Sequence, residues 1–336
     1  MVSTVFNEMR RLDQTIADLE AQTLQPDEII ITDAGSTDGT FERLQEWSRN
    51  SKVPVVVLQK HRCNVAQGRN IAIKASKHNL IASTDFGCRF LPAWLESIIS
   101  PFGADPKLEV VGGAFTIIRD EVNTPAAKAD FVLSKGYAVI MDEYFSVSSR
   151  SIAYNKSVWE RIGGYPEWLT LAADDTIFWR HVKKQGFKYL FVHEPNVFWL
   201  RHKTFKGFGK ENFRYGLGDG ESAINFRNFL SHVIETGHRW ASFVGIVALP
   251  YLLVNYNPVF SIIIAAQPAV FRSYKYAYKT WKQFKHLPGF GTDVLLACFW
   301  MVEVTRVWYI RGYLKGRLGS TPEQKLAAIK LKQDLG

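Results

Sequence analysis

Along the first 115 residues or so, short apolar runs alternate with stretches in which apolar side chains recur at helical spacing. Val2–Phe6, Glu28–Thr32, Val53–Leu58, Leu80–Thr84 and Val110–Thr116 have the length and β-branched content of strands. Between the first two, Glu8 to Gln22 places Leu12, Ile16 and Leu19 on one face and predicts a helix. Further helices are expected after Thr40 and over about Ala66 to Ser76. Strands alternating with helices imply a mostly parallel sheet covered on both faces. Ligands of such sheets bind beyond the carboxyl ends of the strands, so polar residues that directly follow a strand carry the most information.

From Thr124 to Asn196 the pattern is mixed. Ser151–Asn155 reads as a strand, Gly163-Gly164-Tyr165-Pro166 as a turn, and about Asp175 to Lys184 as a helix stopped by Gly186. The last third changes character. Ala241 to Phe271 is almost free of charge and is interrupted by Pro250, Asn255, Asn257 and Pro258. It is long enough for one membrane span, for a helical hairpin dipping into one leaflet, or for a buried helical pair. A second apolar stretch, Val294 to Ile310, carries Glu303 and Arg306 and reads as amphipathic or partner-packed rather than lipid-immersed. Arg272, Lys275, Lys279, Lys282 and Lys285 lie between the two, and Arg311, Lys315 and Arg317 follow. Cations beside apolar helices favour the cytoplasmic face and anionic lipid.

Composition narrows the field. At 336 residues with 47% hydrophobic and 22% charged, the chain can build a large core and is not a disordered polymer. The formal charge of +9 calls for an anionic partner. No helix-turn-helix, zinc-finger or RNP pattern accompanies that charge, so nucleic acid is not the expected partner. Three scattered cysteines, Cys63, Cys88 and Cys298, make no disulfide framework and suit a reducing compartment. The amino terminus has no signal-peptide pattern. The expected location is the cell membrane, with the catalytic part on the cytoplasmic face.

Chemistry concentrates after the strands. Asp33-Ala34-Gly35-Ser36-Thr37-Asp38-Gly39-Thr40 follows the second strand, and Asn7-Glu8 follows the first. A carboxylate at a strand end can accept from a base N–H, and small residues let the backbone approach a ligand. The same string also suits an ordinary turn capping the next helix. Asn64-Val65-Ala66-Gln67-Gly68-Arg69-Asn70 opens the third helix, Thr84-Asp85-Phe86-Gly87 ends the fourth strand, and Asp174-Asp175 opens a helix after the Gly-Gly-Tyr-Pro turn. Taken in order, these motifs resemble the family 2 glycosyltransferases over roughly residues 2 to 220, in their membrane-associated bacterial or archaeal form.

That resemblance implies an α/β GT-A fold, a Rossmann-like, mostly parallel sheet with flanking helices, followed by carboxy-terminal hydrophobic helices. Residues 1–225 would form the catalytic domain, with a donor half over about 1–115 and an acceptor half over 116–225. Residues 226–336 would form a membrane-associated helical region. The implied enzyme is an inverting, hexosyltransferase-like glycosyltransferase. It would take a UDP-sugar by preference, or a GDP-sugar, and pass the sugar to a hydroxyl of a lipid-linked or cell-envelope glycan. The resemblance places Asn7, Glu8, Asp33, Ser36, Asp38, Arg69 and Asp85 at the nucleotide-sugar, and Asp175 as general base beside Asp174.

A divalent cation, manganese or magnesium, is implied at Asp85 with His202 as a later ligand. Here the chain departs from the family's Asp-x-Asp pattern, because Gly87 occupies the third position. One carboxylate needs phosphate oxygens, water or another side chain to complete a site. The departure motivates a second reading, a catalytically weakened membrane scaffold that binds nucleotide-sugar. The basic-aromatic segment from Trp199-Leu200-Arg201-His202-Lys203 to Tyr215 suits either leaving-group neutralisation or contact with lipid headgroups.

Overall fold

Ile29, Ile30 and Ile31 set the plan of the sheet. They alternate across one strand, and each is buried, so both faces of that strand are covered. The computed structural model describes residues 1–139, 145–255 and 271–335, with backbone alone for 244–255. In chain order its elements are β1 (Val2–Val5), α1 (Met9–Glu20), β2 (Ile29–Asp33), α2 (Thr40–Asn50), β3 (Val55–Gln59), α3 (Val65–Ala75), β4 (Leu80–Ser83), β5 (Cys88–Phe90), α4 (Trp94–Ala104), β6 (Val110–Thr116), α5 (Pro125–Leu133), β7 (Ile152–Asn155), α6 (Lys156–Ile162), α7 (Asp174–Lys184) and β8 (Tyr189–Trp199). Then come α8 (Phe205–Ser222), α9 (Phe226–Asn255), α10 (Arg272–Phe284), α11 (Thr292–Gly319) and α12 (Pro322–Leu335).

The chain divides into two compact units. The first comprises Met1–Arg119, Ala138–Arg201 and Glu323–Gly336; the second comprises Asp120–Tyr137 and His202–Pro322. The first unit holds an eight-stranded mixed sheet in the order β3-β2-β1-β4-β7-β6-β8-β5. The run β3-β2-β1-β4 is parallel, as the strand–helix alternation predicts. β7 joins it antiparallel to β4 and β6. One face packs Val5, Ile31 and Val111 against Leu12, Ile16 and Leu19 of α1 and Trp94 and Ile98 of α4. The other packs Val2, Ile30 and Tyr154 against Ile73 of α3 and Phe178 and Val182 of α7. Burying each such side chain contributes about 1.5–3 kcal/mol.

β5, β8 and α4 are absent from the sequence expectation. β8 contains His193, Glu194 and Pro195, which break its alternation. The structure accommodates them in an irregularity: Gly113 pairs with Val192 and Phe115 with Val197, so the intervening residues leave the ladder. A proline in a strand belongs at such a place, because it has no N–H to give.

In the second unit α8 and α11 lie in backbone contact. A Cβ on Gly216 or Gly220 would meet the carbonyls of Tyr309 and Tyr313, and one on Gly312 or Gly316 would meet those of Phe213 and Leu217. Only hydrogen fits on either helix at that distance. The charges expected within the apolar stretch of α11 are paired. Glu303 accepts from Arg239 Nε at 2.7 Å, Trp240 Nε1 at 2.8 Å and the Tyr274 hydroxyl at 3.1 Å, and Arg306 pairs with Glu235. Among the described residues no helix is long and apolar enough to cross a membrane. Of the apolar run Ala241 to Phe271, residues 256–270 lie outside the described residues.

Candidate active site

The ends of β1, β2 and β4 lie side by side, and the loops beyond them interlock. Asn7 takes a left-handed backbone (φ 55°), its N–H donates to Ser36 Oγ at 2.9 Å, and its Oδ1 accepts from Thr37 N at 2.9 Å. Glu8 N donates to Thr40 Oγ1 at 2.9 Å. Asp38 accepts from Met9 N and from the Thr40 amide, both at 3.1 Å, and so joins the starts of α1 and α2. Burial opposes its ionisation, yet hydrogen bonds from Thr40 and Met9 hold Asp38 below the ordinary carboxylate value. Ser36 and Asp38 are thus engaged in shaping the loop.

Asp33 is fully buried at the end of β2. Its Oδ1 accepts from Gly35 N at 2.9 Å, Ser36 N at 3.0 Å and Gln59 Nε2 at 3.2 Å, whereas Oδ2 has no partner among the described residues. A buried carboxylate oxygen without a donor costs free energy unless a ligand supplies one.

Asp85, Arg69 and Asp174 converge from three elements. Arg69 is buried on α3; its Nη2 donates to Asp85 Oδ1 at 2.8 Å and its Nη1 to Asp174 Oδ2 at 2.5 Å. Its guanidinium also lies 4.8 Å from the Tyr165 ring centre. Burial works against the charge of Arg69, but Asp174 and Asp85 raise its pKa above the usual value. Burial likewise pushes the Asp174 carboxyl up, to about 6, with Arg69 opposing and Asp175 and Asp85 adding. Asp175, next on α7, is part-exposed, and its Oδ1 accepts from the amide of Thr176 at 2.7 Å. Burial raises the Glu8 carboxyl too; Arg11 opposes this while Asp38 and Asp85 add to it.

The turn before α7 is positioned by two asparagines. Asn70 Oδ1 accepts from Trp159 Nε1 at 2.8 Å and Tyr165 N at 2.9 Å, and its Nδ2 donates to Tyr165 O and Glu167 Oε1. Asn64 caps α3 in a reciprocal box with Gln67 and donates to the carbonyls of Glu167 and Leu169. These roles, and that of Arg150, are absent from the sequence expectation. Arg150 stacks 3.9 Å from Trp199, which Arg201 meets at 3.7 Å, and Trp199 pairs with Cys88 just past Asp85. Arg150 sits in a serine-rich stretch with no motif to mark it.

His202 belongs to the second unit. Its Nε2 lies 3.8 Å from Glu211 Oε1, and its ring meets Phe208 edge-on. Among the described residues no three His, Cys, Asp or Glu side chains converge as a metal site by themselves. Asp85 Oδ2 accepts no hydrogen bond among the described residues. That oxygen suits a cation whose remaining ligands come from a diphosphate and water. A separate cavity of about 630 Å³ in the first unit is lined by the Gly163–Trp168 turn, His181 and, from α12, Lys330, Leu331 and Asp334.

Residues 1–163 match Glycosyl transferase family 2. Glycosyltransferase AglE of Haloferax volcanii is 24% identical over 229 residues, covering 65% of this chain and 71% of that protein. A glucosyl-dolichyl phosphate glucuronosyltransferase of the same organism is 22% identical over 194 residues, covering 55% of this chain and 56% of its own length. Among solved structures, the mannosyltransferase PcManGT from Pyrobaculum calidifontis, in complex with GDP-Man and Mn2+, superposes with a TM-score of 0.59 at 15% identity, covering 95% of this chain and 87% of that one. The GT-A fold is therefore shared.

Proposed function

We propose that this chain, whose residues 1–163 match Glycosyl transferase family 2, performs a single inverting displacement, from a UDP- or GDP-sugar to the hydroxyl of a lipid-linked or cell-envelope glycan. The observation that carries this reading is the buried Asp33, whose Oδ2 waits without a donor beside a loop of small residues. Uracil N3–H and guanine N1–H are both suitable donors. The nucleoside enters over Asn7 and Gly35, and its diphosphate extends toward Asp85.

When bound, a divalent cation held by Asp85 would offset diphosphate charge in the ground state and in departure. Arg69 fixes Asp85 and Asp174 in place. With Asp174 paired to Arg69, the part-exposed Asp175 is the carboxylate free to serve as base. It takes the acceptor's hydroxyl proton as the acceptor oxygen bonds to the anomeric carbon. The bond from that carbon to the phosphate oxygen breaks, and the nucleoside diphosphate leaves from the opposite side. Arg150 and Arg201, held by Trp199, add positive charge near β5.

A lipid-linked acceptor is supported by the name of the dolichyl phosphate relative and by the surface of the second unit. There α10 carries Lys275, Lys279 and Lys282 beside the exposed Tyr276 and Tyr278, and α11 exposes Leu296 and Trp300. Such a surface suits the cytoplasmic leaflet. The test is a panel of UDP- and GDP-sugars with polyprenyl-phosphate-linked acceptors, followed by NMR of the product's anomeric configuration. Transfer from one donor with inversion supports the reading; transfer with retention, or to soluble acceptors only, overturns the corresponding part.

A further inference from the structure

Gly87 has a left-handed backbone, with φ +91°. A Cβ built there would lie 3.2 and 3.3 Å from the two carboxylate oxygens of Glu8. The place where a side chain at position 87 would begin is therefore already filled by a carboxylate, delivered from the loop after β1. Glu8 stands at the amino-terminal cap position of α1, yet its side chain makes no capping hydrogen bond. Its carboxylate has no hydrogen bond or ion pair among the described residues, although the residue is partly buried. The backbone, by contrast, is fixed: Glu8 N bonds Thr40 Oγ1, and the preceding Asn7 is held by Ser36 and Thr37. Two carboxylates thus face one turn, Glu8 from one strand end and Asp85 from another, each with an oxygen free of protein donors.

We propose that Glu8 and Asp85 together hold the divalent cation that accompanies the donor diphosphate, with Glu8 supplying, from a different strand, the second carboxylate that Gly87 lacks. The assignment rests on the transferase reading above. Two carboxylates and two phosphate oxygens leave the remaining octahedral positions to water, a common arrangement for magnesium and manganese at phosphates. The cation would also compensate the mutual repulsion of the two carboxylates. Gly87 has a use here beyond its φ, since any side chain would push the Glu8 carboxylate away.

The test is binding rather than turnover. Free Mn2+ would be measured by electron paramagnetic resonance for wild type, Glu8→Gln and Asp85→Asn, with and without UDP or GDP. Nucleotide affinity would be measured separately in chelator. We expect Glu8→Gln and Asp85→Asn each to weaken Mn2+ binding at least tenfold in the presence of nucleotide, a loss larger for Glu8→Gln than any change in its nucleotide affinity in chelator. Adding Gly87→Asp to Glu8→Ala should restore part of the loss, which a merely structural role for Glu8 would not allow. Wild-type Mn2+ affinity in a folded Glu8→Gln protein, with loss in Asp85→Asn, would overturn the assignment and leave the transferase reading standing. Failure of wild type to bind either nucleotide would overturn both.

Discussion

Arg69 Nη1 donates to Asp174 Oδ2 at 2.5 Å, across 105 residues of sequence. The same guanidinium holds Asp85, so one buried cation ties the end of β4 to the start of α7, which carries the proposed base. Replacing Arg69 with Met leaves Asp174 buried without a counter-charge, a change that costs about 3–5 kcal/mol. Thermal unfolding should show that loss. The double variant Arg69→Met/Asp174→Asn should recover part of it, and a strictly additive cycle would contradict the pairing.

Asp175→Asn keeps the shape of the helix start and removes the proposed base. Turnover should fall by about 10²–10⁴-fold with the donor KM little changed. Asp174→Asn should act chiefly on stability. If the two variants exchanged these effects in steady-state kinetics, the assignment of the base would be wrong.

Asp33→Asn presents an amide where a nucleobase N–H is to be received. Losing a hydrogen bond to a buried charge costs about 1.5–3 kcal/mol, so calorimetry should find nucleotide binding weakened by roughly tenfold or more. Unaltered affinity would place the base elsewhere.

The second unit should weaken in mild acid. Burial lowers the pKa of His232 to about 4, with Arg306 and Arg239 acting in the same direction and Glu235 opposing them. In the unfolded chain this histidine takes its proton near the ordinary value of 6.5. Between those two values the unfolded state binds more protons, so this contribution to stability is intact above 6.5 and declines as pH falls toward 4. His232→Gln should flatten the fall in unfolding midpoint over that window; an unchanged slope would assign it to other groups.

Gly312→Ala forces a methyl group onto the carbonyl of Phe213. Overpacking of this kind typically costs about 1–3 kcal/mol. Alanine at Gly319, which has no neighbour within 4 Å of its Cβ position, should cost nothing. Paired melts of the two variants decide the matter, since the helix propensity of alanine alone would favour both.

Local pattern reaches some of this and not the rest. β1 to β4, β6 and β7 are readable because each is a short, mostly apolar run, and Asp33, Asp85 and Asp175 because each closes or follows a strand or opens a helix. What the sequence does not display is contact between distant residues. Arg69 looks like a cation free for a ligand until Asp174 is seen against it. Asn70 looks like one more polar residue of α3, yet it organises the Gly164-Tyr165 turn. Glu8 and Gly87 are ordinary apart, and only the adjacency of β1 and β4 brings the carboxylate over the glycine. The charges of α11 mark it in the sequence as amphipathic or partner-packed, but the partners themselves, Arg239 and Glu235 on α9, depend on tertiary packing.

The segment Glu323–Gly336 belongs with the first unit although the entire stretch His202–Pro322 precedes it. Gln324 Nε2 donates to the carbonyl of Trp168, and Lys330 and Leu331 wall the cavity beside the turn that leads to the base. On the ribosome, α12 is therefore made only after the whole of His202–Pro322 has been synthesised. At about 5–20 residues per second the delay is on the order of ten seconds. During that interval the sheet can form while the Trp168 turn stays open on the side that α12 later covers, so one wall of the loop leading to Asp174 and Asp175 is supplied by residues made more than a hundred positions after it.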